Sequence, residues 1–372
     1  LHRSPELGWQ ERATAKHIRA RLHELQIPFR PCAGTGTVAL LASAASGRHI
    51  ALRADIDALP IREENDTPWA SQIDGCMHAC GHDGHTATLL GAAAWLKHHE
   101  QVLPGPVTLL FQPAEEGGHG AKAMIDDGAL ENVDAVFGWH NWPAIPFGQA
   151  VCPDGVVMAG NGTFRIEVNG IGGHASQPEA CRDPVLAAAA IVVALQQVVS
   201  RRMAAQDACV LSVTSIDAPS GLTTIPDRAV LAGSFRLADT ARQPELEQHI
   251  RDIANGTAAA FGVTGDVEVS PRYAATVNNA AEAAHYRDIL QQEFGDTALS
   301  SSTPLPIMAS EDFSYYLQER PGAFALIGAH SGTAGDTPCH SPRYDFNDAL
   351  IPRVARIYAR LAGAPLPAGM AF

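Results

Sequence analysis

Basic residues are scarce in this chain. Its 26 Lys and Arg face 40 Asp and Glu, for a formal net charge of −14. Such a balance leaves no basic stripe for neutralising phosphates and argues against a nucleic-acid partner. Aromatic residues make up only 6%. Long apolar runs are missing as well. The longest covers residues 185–195, well short of the roughly 18–20 that a bilayer-spanning helix needs, so no membrane anchor is expected. Leu1 opens a stretch with no basic segment leading into an apolar core, so no export signal is read there and the expected location is cytoplasmic. A paired cysteine framework is absent too. Cys32, Cys76, Cys80, Cys152, Cys181, Cys209 and Cys339 are odd in number and irregularly spaced, which leaves at least one free thiol as ligand, nucleophile or core filler.

What is present is a chain of 372 residues, longer than the roughly 250–300 at which single cores usually divide. Its first part alternates helix and strand. Helical spacing covers 6–25 and 83–99, with a third helix near 121–127, and apolar strands are predicted at 49–54, 107–111 and 135–139, the last stopping at His140. Strands separated by helices imply βαβ units and a parallel sheet. The pattern then changes. Alternating strands at 163–168, 209–215, 229–237 and 267–270 enclose helices at 184–200 and 244–261, a β-α-β-β-α-β order that reads as a ferredoxin-like arrangement. After residue 280 the α/β pattern returns, with a helix to 294, a segment at 312–318, a strand at 324–328 and a C-terminal helix from 348. The expected architecture is therefore an α/β domain of 1–160 and 276–372, interrupted by an inserted α+β domain at 161–275.

Ligands of open α/β sheets sit outside the carboxyl ends of the strands. Asp55 and Asp57, Glu115 and Glu116, His140, and, after a longer loop, His340 follow predicted strands. Between the first two pairs lies His78-Ala-Cys80-Gly-His82-Asp83-Gly-His85, at a helix start. Carboxylate, imidazole and thiolate in one crevice are the donors of a Zn-, Mn-, Co- or Ni-type site. Cys80 and His82 lie two apart on a pre-helical loop and can grip a common centre, whereas His85 falls in the helical turn that follows and suits support or packing. Adjacent Glu115 and Glu116 point in different directions, so one can ligate while the other carries a proton.

In combination, the strings ADIDALP (54–60), MHACGHDGHTA (77–87), QPAEEGGHGAKAMIDDGAL (112–130), GWH (138–140), GIGGHASQPE (170–179), SEDFSYY (310–316) and HSPRYDFND (340–348) resemble subfamily D of the M20 metallopeptidases. That branch includes hippurate hydrolase, plant auxin-conjugate hydrolases and bacterial N-acyl-amino-acid amidohydrolases. The resemblance implies a two-domain α/β metalloenzyme with an inserted ferredoxin-like domain that mediates homodimerisation. It implies two divalent ions (Mn, Zn, Co or Ni) held by Cys80, His82, Glu116, His140 and His340, with Glu115 as general base toward the attacking water. It also implies that His174 stabilises the oxyanion in the partner subunit's site, that Asp57 orients a ligand, and that Arg236 holds the substrate carboxylate. The expected reaction is hydrolysis of an N-acyl amino acid, with a dipeptidase or aminopeptidase using the same centre as the alternative.

Two departures touch specificity. Relatives carry Asn two residues before the Ile-Pro pair where this chain has Thr223, and His where it has Glu179. A cysteine hydrolase built on Cys80 and His82, or an inactive binding relative, would be separated from the metal reading by the effect of chelation. The remaining histidines, including His78 and His119, are read as structural or supporting.

Overall fold

Every residue of the strands Ile50–Asp55 and Val107–Gln112 is buried, as expected of parallel strands covered on both faces. These strands lie in a computed structural model that describes residues 1–330, 332 and 337–366. The chain divides into two units. One contains Leu1–Val157, Val277–Pro304 and the chain from Asp312 onward; the other contains Met158–Thr276 and Leu305–Glu311.

In chain order the first unit begins with α1 (Arg12–Glu24), β1 (Phe29–Cys32), β2 (Gly36–Leu41), β3 (Ile50–Asp55), α2 (His82–His98), β4 (Val107–Gln112), α3 (Gly120–Asp126), β5 (Ala135–Pro146) and β6 (Ala150–Val151). The second unit then contributes β7 (Gly160–Asn169), β8 (Gly173–His174), α4 (Pro184–Gln197), β9 (Cys209–Asp217), β10 (Thr224–Ile225), β11 (Arg228–Leu237), α5 (Gln243–Ala260) and β12 (Thr264–Pro271). The first unit closes with α6 (Ala280–Phe294), α7 (Ser314–Glu319), β13 (Gly322–His330) and α8 (Leu350–Leu361).

The first unit's sheet runs β1-β2-β4-β3-β5-β13-β6. Its centre, β4-β3-β5-β13, is parallel, and the flanking pairs are antiparallel. Ile18, Leu52, Leu89, Leu109, Phe137, Trp139, Ile327 and Val354 join one core around it. The helix α8 shows how sequence sets packing. Leu350, Val354, Ile357, Tyr358 and Leu361 are buried at the spacing of one helical stripe, while Arg353 and Arg356 reach the buried Glu293 carboxylate at 3.2 and 2.9 Å.

The second unit's sheet has the order β9-β11-β7-β12, all antiparallel. With α4 and α5 this is the ferredoxin-like order expected from the sequence. Ala188, Ile191 and Leu195 of α4 pack with Leu246, Ile250 and Ala254 of α5 over Ile166, Leu231 and Phe235 of the sheet. By length and composition alone, Pro184–Arg202 would suffice to cross a membrane; in this fold it supplies one wall of the second core.

Four expectations are corrected. The segment Leu305–Glu311 belongs to the second unit, not the first, because the Ala159 N–H donates to the Ile307 carbonyl at 2.9 Å and the Arg236 Nη1 donates to Ser310 Oγ at 2.9 Å. The unit boundaries also fall after Val157 and after Thr276. Helix α1 starts at Arg12, not at residue 6, because the Glu6 carboxylate lies outside the helix and accepts the N–H groups of Ala13 and Thr14 at 3.1 and 2.8 Å. Strand β5 continues through His140 to Pro146 instead of ending there. Its pairing with β3 covers only Ala135–Phe137, so later residues keep β13 as partner while the other edge tolerates Pro143 and Pro146.

Candidate metal centre and active site

Gly81 separates Cys80 from His82 in a left-handed conformation (φ 90°), and a Cβ there would stand 2.7 Å from both Asn141 Oδ1 and Tyr344 Oη. Only glycine fits, and its turn brings the thiol and the imidazole to one side. The donor atoms of Cys80, His82 and His140 then lie within 4.8 Å of one another; so do those of Cys80, Glu116 and His340, and those of His82, Glu115 and Glu116. The first two groups share Cys80, so two overlapping sets of donors meet at its sulfur. Cys80 Sγ is 3.3 Å from His140 Nε2, and His340 Nε2 is 3.1 Å from Glu116 Oε1. All five expected ligands and Glu115 thus meet at one place.

Two of the imidazoles, His82 and His140, are aimed by their other nitrogen. His82 Nδ1 donates to the Asp57 carbonyl at 3.0 Å and faces Asp57 Oδ1 at 3.2 Å, while His140 Nδ1 donates to the Asn141 carbonyl at 2.6 Å. Both rings therefore present Nε2 to the centre, as metal-binding histidines do. Asp57 Oδ2 also accepts the Glu116 N–H at 3.0 Å, so Asp57 fixes two of the donors. The glutamates sit in a bent loop, with Ala114, Gly117 and His119 at φ 50°, 95° and 59°. Non-glycine residues in that region cost of order 1–3 kcal/mol each and need outside support. The buried Glu11 carboxylate provides some by accepting the Ala114 N–H at 2.9 Å. His340, at φ 67°, is tied by its own N–H to the Ala79 carbonyl at 2.7 Å.

The centre has the electrostatics of a cation site. Among the described residues, buried His82 Nε2 has no hydrogen-bond partner. Burial alone would lower the His82 pKa, but Asp55, Asp57 and Glu116 raise it to about 10. The Cys80 thiol is pushed up by its hydrogen bond with Cys339, by burial and by Glu116 and Glu115. His140 is driven well below the usual range by burial and by His85. Carboxylates crowd one pocket, and a divalent cation would convert His82 to a neutral ligand and Cys80 to a thiolate. The donor set fits such ions.

His174 and Arg236 lie in the second unit. Exposed His174 sits on β8, paired with Thr224 of β10. Its Nδ1 accepts from the Ser176 N–H at 3.1 Å and from Ser176 Oγ at 2.7 Å, which leaves Nε2 as the N–H donor. Thr223 accepts the Ala175 N–H at 2.9 Å through its carbonyl, and Glu179 lies exposed in a short 3₁₀ turn. Arg236 is on β11, half-buried and bonded to Ser310.

Residues 51–364 match the profile of Peptidase family M20/M25/M40. The chain belongs to this family. It is 40% identical over 367 residues to an IAA-amino acid hydrolase of Arabidopsis thaliana, covering 97% of this chain and 82% of that one. It is 38% identical over 365 residues to the hippurate hydrolase of Campylobacter jejuni, covering 97% and 94%. Among solved structures it superposes with a TM-score of 0.83 on a dinuclear metal-binding peptidase of the M20 family from Bacillus subtilis, at 33% identity over 97% of this chain and 94% of that one.

Below the M20 metal centre runs a buried polar layer in which Arg53, Gln112, Asp312 and Asn141 had no role read from the sequence. Arg53 Nε donates to Gln112 Oε1 at 2.8 Å, Nη1 to Asp55 Oδ2 at 2.5 Å and Nη2 to Asp312 Oδ1 at 3.2 Å. Asp55 Oδ1 is 2.6 Å from His85 Nδ1, and His85 Nε2 is 2.6 Å from Asn141 Oδ1. The one available signal was a charged residue inside an apolar strand, Arg53 in HIALRA; Asp312 lay within the quoted SEDF string.

Proposed function

We propose that this chain is a metal-dependent amidohydrolase that cleaves N-acyl amino acids to a carboxylate and a free amino acid. One observation carries the reading: Glu115, only 6% exposed, stands beside two donor groups, Cys80–His82–His140 and Cys80–Glu116–His340, that do not include it. A carboxylate beside these groups and outside both of them is placed to carry a proton. The relatives named for IAA-amino acids and hippurate act on amides with an acyl group on one side and an amino acid on the other, which supports the substrate class.

In this reading Cys80, His82, Glu116, His140 and His340 hold two divalent ions, Mn, Zn, Co or Ni. Bound there, the ions supply Lewis-acid chemistry to the amide carbonyl and lower the pKa of water. Glu115 accepts a proton from the attacking water as the C–O bond forms and returns it to the amide nitrogen as the C–N bond breaks. The Nε2–H of His174 donates to the carbonyl oxygen as charge develops, in the site of a second copy. Arg236 pairs with the substrate carboxylate, and Thr223 and Glu179 tune which amino acid is accepted. Asp57 keeps His82 and Glu116 aligned.

The working form is a homodimer joined through the second unit. Support comes from β9, an edge strand with Val210 and Ile216 exposed, and from Leu186 and Val193 of α4, which are 57% and 74% exposed. Free thiols at all seven cysteines suit a reducing compartment, which supports a cytoplasmic location.

The test is hydrolysis of hippurate, N-acetyl amino acids and unblocked dipeptides by the protein after chelation and after reloading with Mn, Zn, Co or Ni. Activity on the acylated substrates that EDTA abolishes and metal restores is the expected result. Preference for unblocked dipeptides would overturn the substrate class, and EDTA-resistant turnover would overturn the mechanism.

A further inference from the structure

Arg53 has no exposed surface, and it lies on the central strand β3 between two aspartates that also have none, Asp55 and Asp312. Burying one guanidinium and two carboxylates costs several kcal/mol per ion unless each is paired and hydrogen-bonded. Here they are. The three donor edges of Arg53 are divided among Asp55, Asp312 and Gln112. Gln112 Nε2 in turn donates to both Asp312 oxygens at 2.8 and 3.0 Å, and the Ala121 N–H donates to Asp312 Oδ2 at 3.0 Å. A planar fork can serve three acceptors at once, which a lysine ammonium on a flexible stem cannot do in the same geometry.

The two aspartates lead to different parts of the centre. On one arm the backbone N–H of Asp312 donates to Glu115 Oε1 at 3.4 Å. On the other arm Asp55 holds His85, whose ring stacks on His82 with centroids 5.5 Å apart and stands edge-on to His140 at 4.8 Å. His85 ligates nothing in the proposed scheme, yet it forms the wall against which two ligand imidazoles are set. One arm ends at the proton carrier, the other at the metal donors, and Arg53 is their common root.

We propose that Arg53 is the shared positioning residue of the centre, holding Glu115 through Asp312 and the imidazoles of His82 and His140 through Asp55 and His85. The inference rests on the roles given above to Glu115 and the metal donors, and adds to them a division of labour between two buried aspartates.

The division is tested with Asp312→Asn, Asp55→Asn and Arg53→Lys in the full chain, by measuring Mn2+ affinity by titration and kcat and KM for hippurate at saturating metal. Disturbing groups that support metal ligands costs roughly 10–100-fold in affinity or activity. Asp312→Asn is expected to lower kcat by that factor with KM and Mn2+ affinity within about twofold of the parent. Asp55→Asn is expected to weaken Mn2+ binding by that factor, and Arg53→Lys to do both. A merely structural network would lower stability without separating the two readouts. Equal loss of Mn2+ affinity in the two aspartate variants, or unchanged affinity in Asp55→Asn, overturns the proposal. If Arg53→Lys does not fold, the two aspartate variants still decide it. The Mn2+ arm needs no turnover, so a parent protein inactive on every N-acyl amino acid would remove the substrate reading while the affinity split still stood or fell by itself.

Discussion

The Asp57 carboxylate faces His82 Nδ1 at 3.2 Å with one oxygen and accepts the Glu116 N–H at 3.0 Å with the other. Both of its partners are donors. In Asp57→Asn one of them would meet an NH2 group instead of an acceptor, inside a site that is only 1% exposed, and an unsatisfied buried group costs about 1–3 kcal/mol. Metal affinity should fall by roughly 10–100-fold, measured as bound Zn or Mn after equilibrium dialysis. An unchanged affinity would remove Asp57 from the support of the centre.

Glu115→Gln should separate chemistry from metal binding. The amide keeps the size of the carboxylate and can still accept the Asp312 N–H, but it cannot take a proton from water. General-base catalysis is worth roughly 10²–10⁴-fold, so kcat for hippurate should drop by that much while metal content stays at the parental level. His140→Ala should do the reverse and lose metal. A Glu115→Gln protein with full activity would falsify the mechanism.

The donors were legible because their chemistry is local. Cys80, Gly81 and His82 form one turn, Glu115 and Glu116 follow one strand, and each residue type announces itself in three or four letters. The layer beneath them was not legible, because its partners are distant: Arg53 and Asp312 are 259 positions apart, and only folding brings the charge in an apolar strand to its counter-ion. The same holds for Leu305–Glu311, whose membership in the second unit depends on Ile307 meeting Ala159. The edge hairpin β1–β2 was missed for another reason. Its residues carry too little alternation to reveal a strand, and they pair only because β4 offers an antiparallel edge to β2. The run of β5 past His140 was not legible either, because Pro143 and Pro146 cannot donate to a ladder and fit only a strand that pairs along one edge there.

The N-terminal segment is held by an ionic latch with a defined pH window. His2 Nδ1 is 2.8 Å from Asp83 Oδ2, and Nε2 is 3.4 Å from Glu63 Oε1. Burial alone would lower the His2 pKa, but the hydrogen bond and charge of Asp83, with Glu63, raise it to about 9 from an ordinary 6.5. A raised folded-state value means that the protonated form is favoured by folding. The stabilisation is then complete below about pH 6.5 and disappears as pH rises through about 9. At about 1.4 kcal/mol per unit it amounts to no more than about 3.5 kcal/mol, less whatever solvent screens. His2→Gln should therefore lower Tm at pH 6 and match the parent near pH 10. A Tm difference of equal size at both pH values would show that the contact is not ionic.

The proposed dimer face can be tested without touching the centre. Strand β9 is at the edge of its sheet and contains neither Lys nor Pro, the residues by which exposed edges usually avoid pairing. Helix α4 presents Leu186 and Val193 to solvent, although its other face already fills the second core. Both features favour a second copy of the chain as the cover. A Leu186→Glu, Val193→Lys double variant should elute as a monomer by size-exclusion chromatography with light scattering where the parent elutes as a dimer. Because both side chains are exposed in the single chain, Tm at low protein concentration should change by no more than the equivalent of about 0.5 kcal/mol per substitution. Turnover should fall together with the dimer fraction, since the reading assigns His174 to the second copy's site. A monomeric parent with full activity would remove both the interface and that assignment.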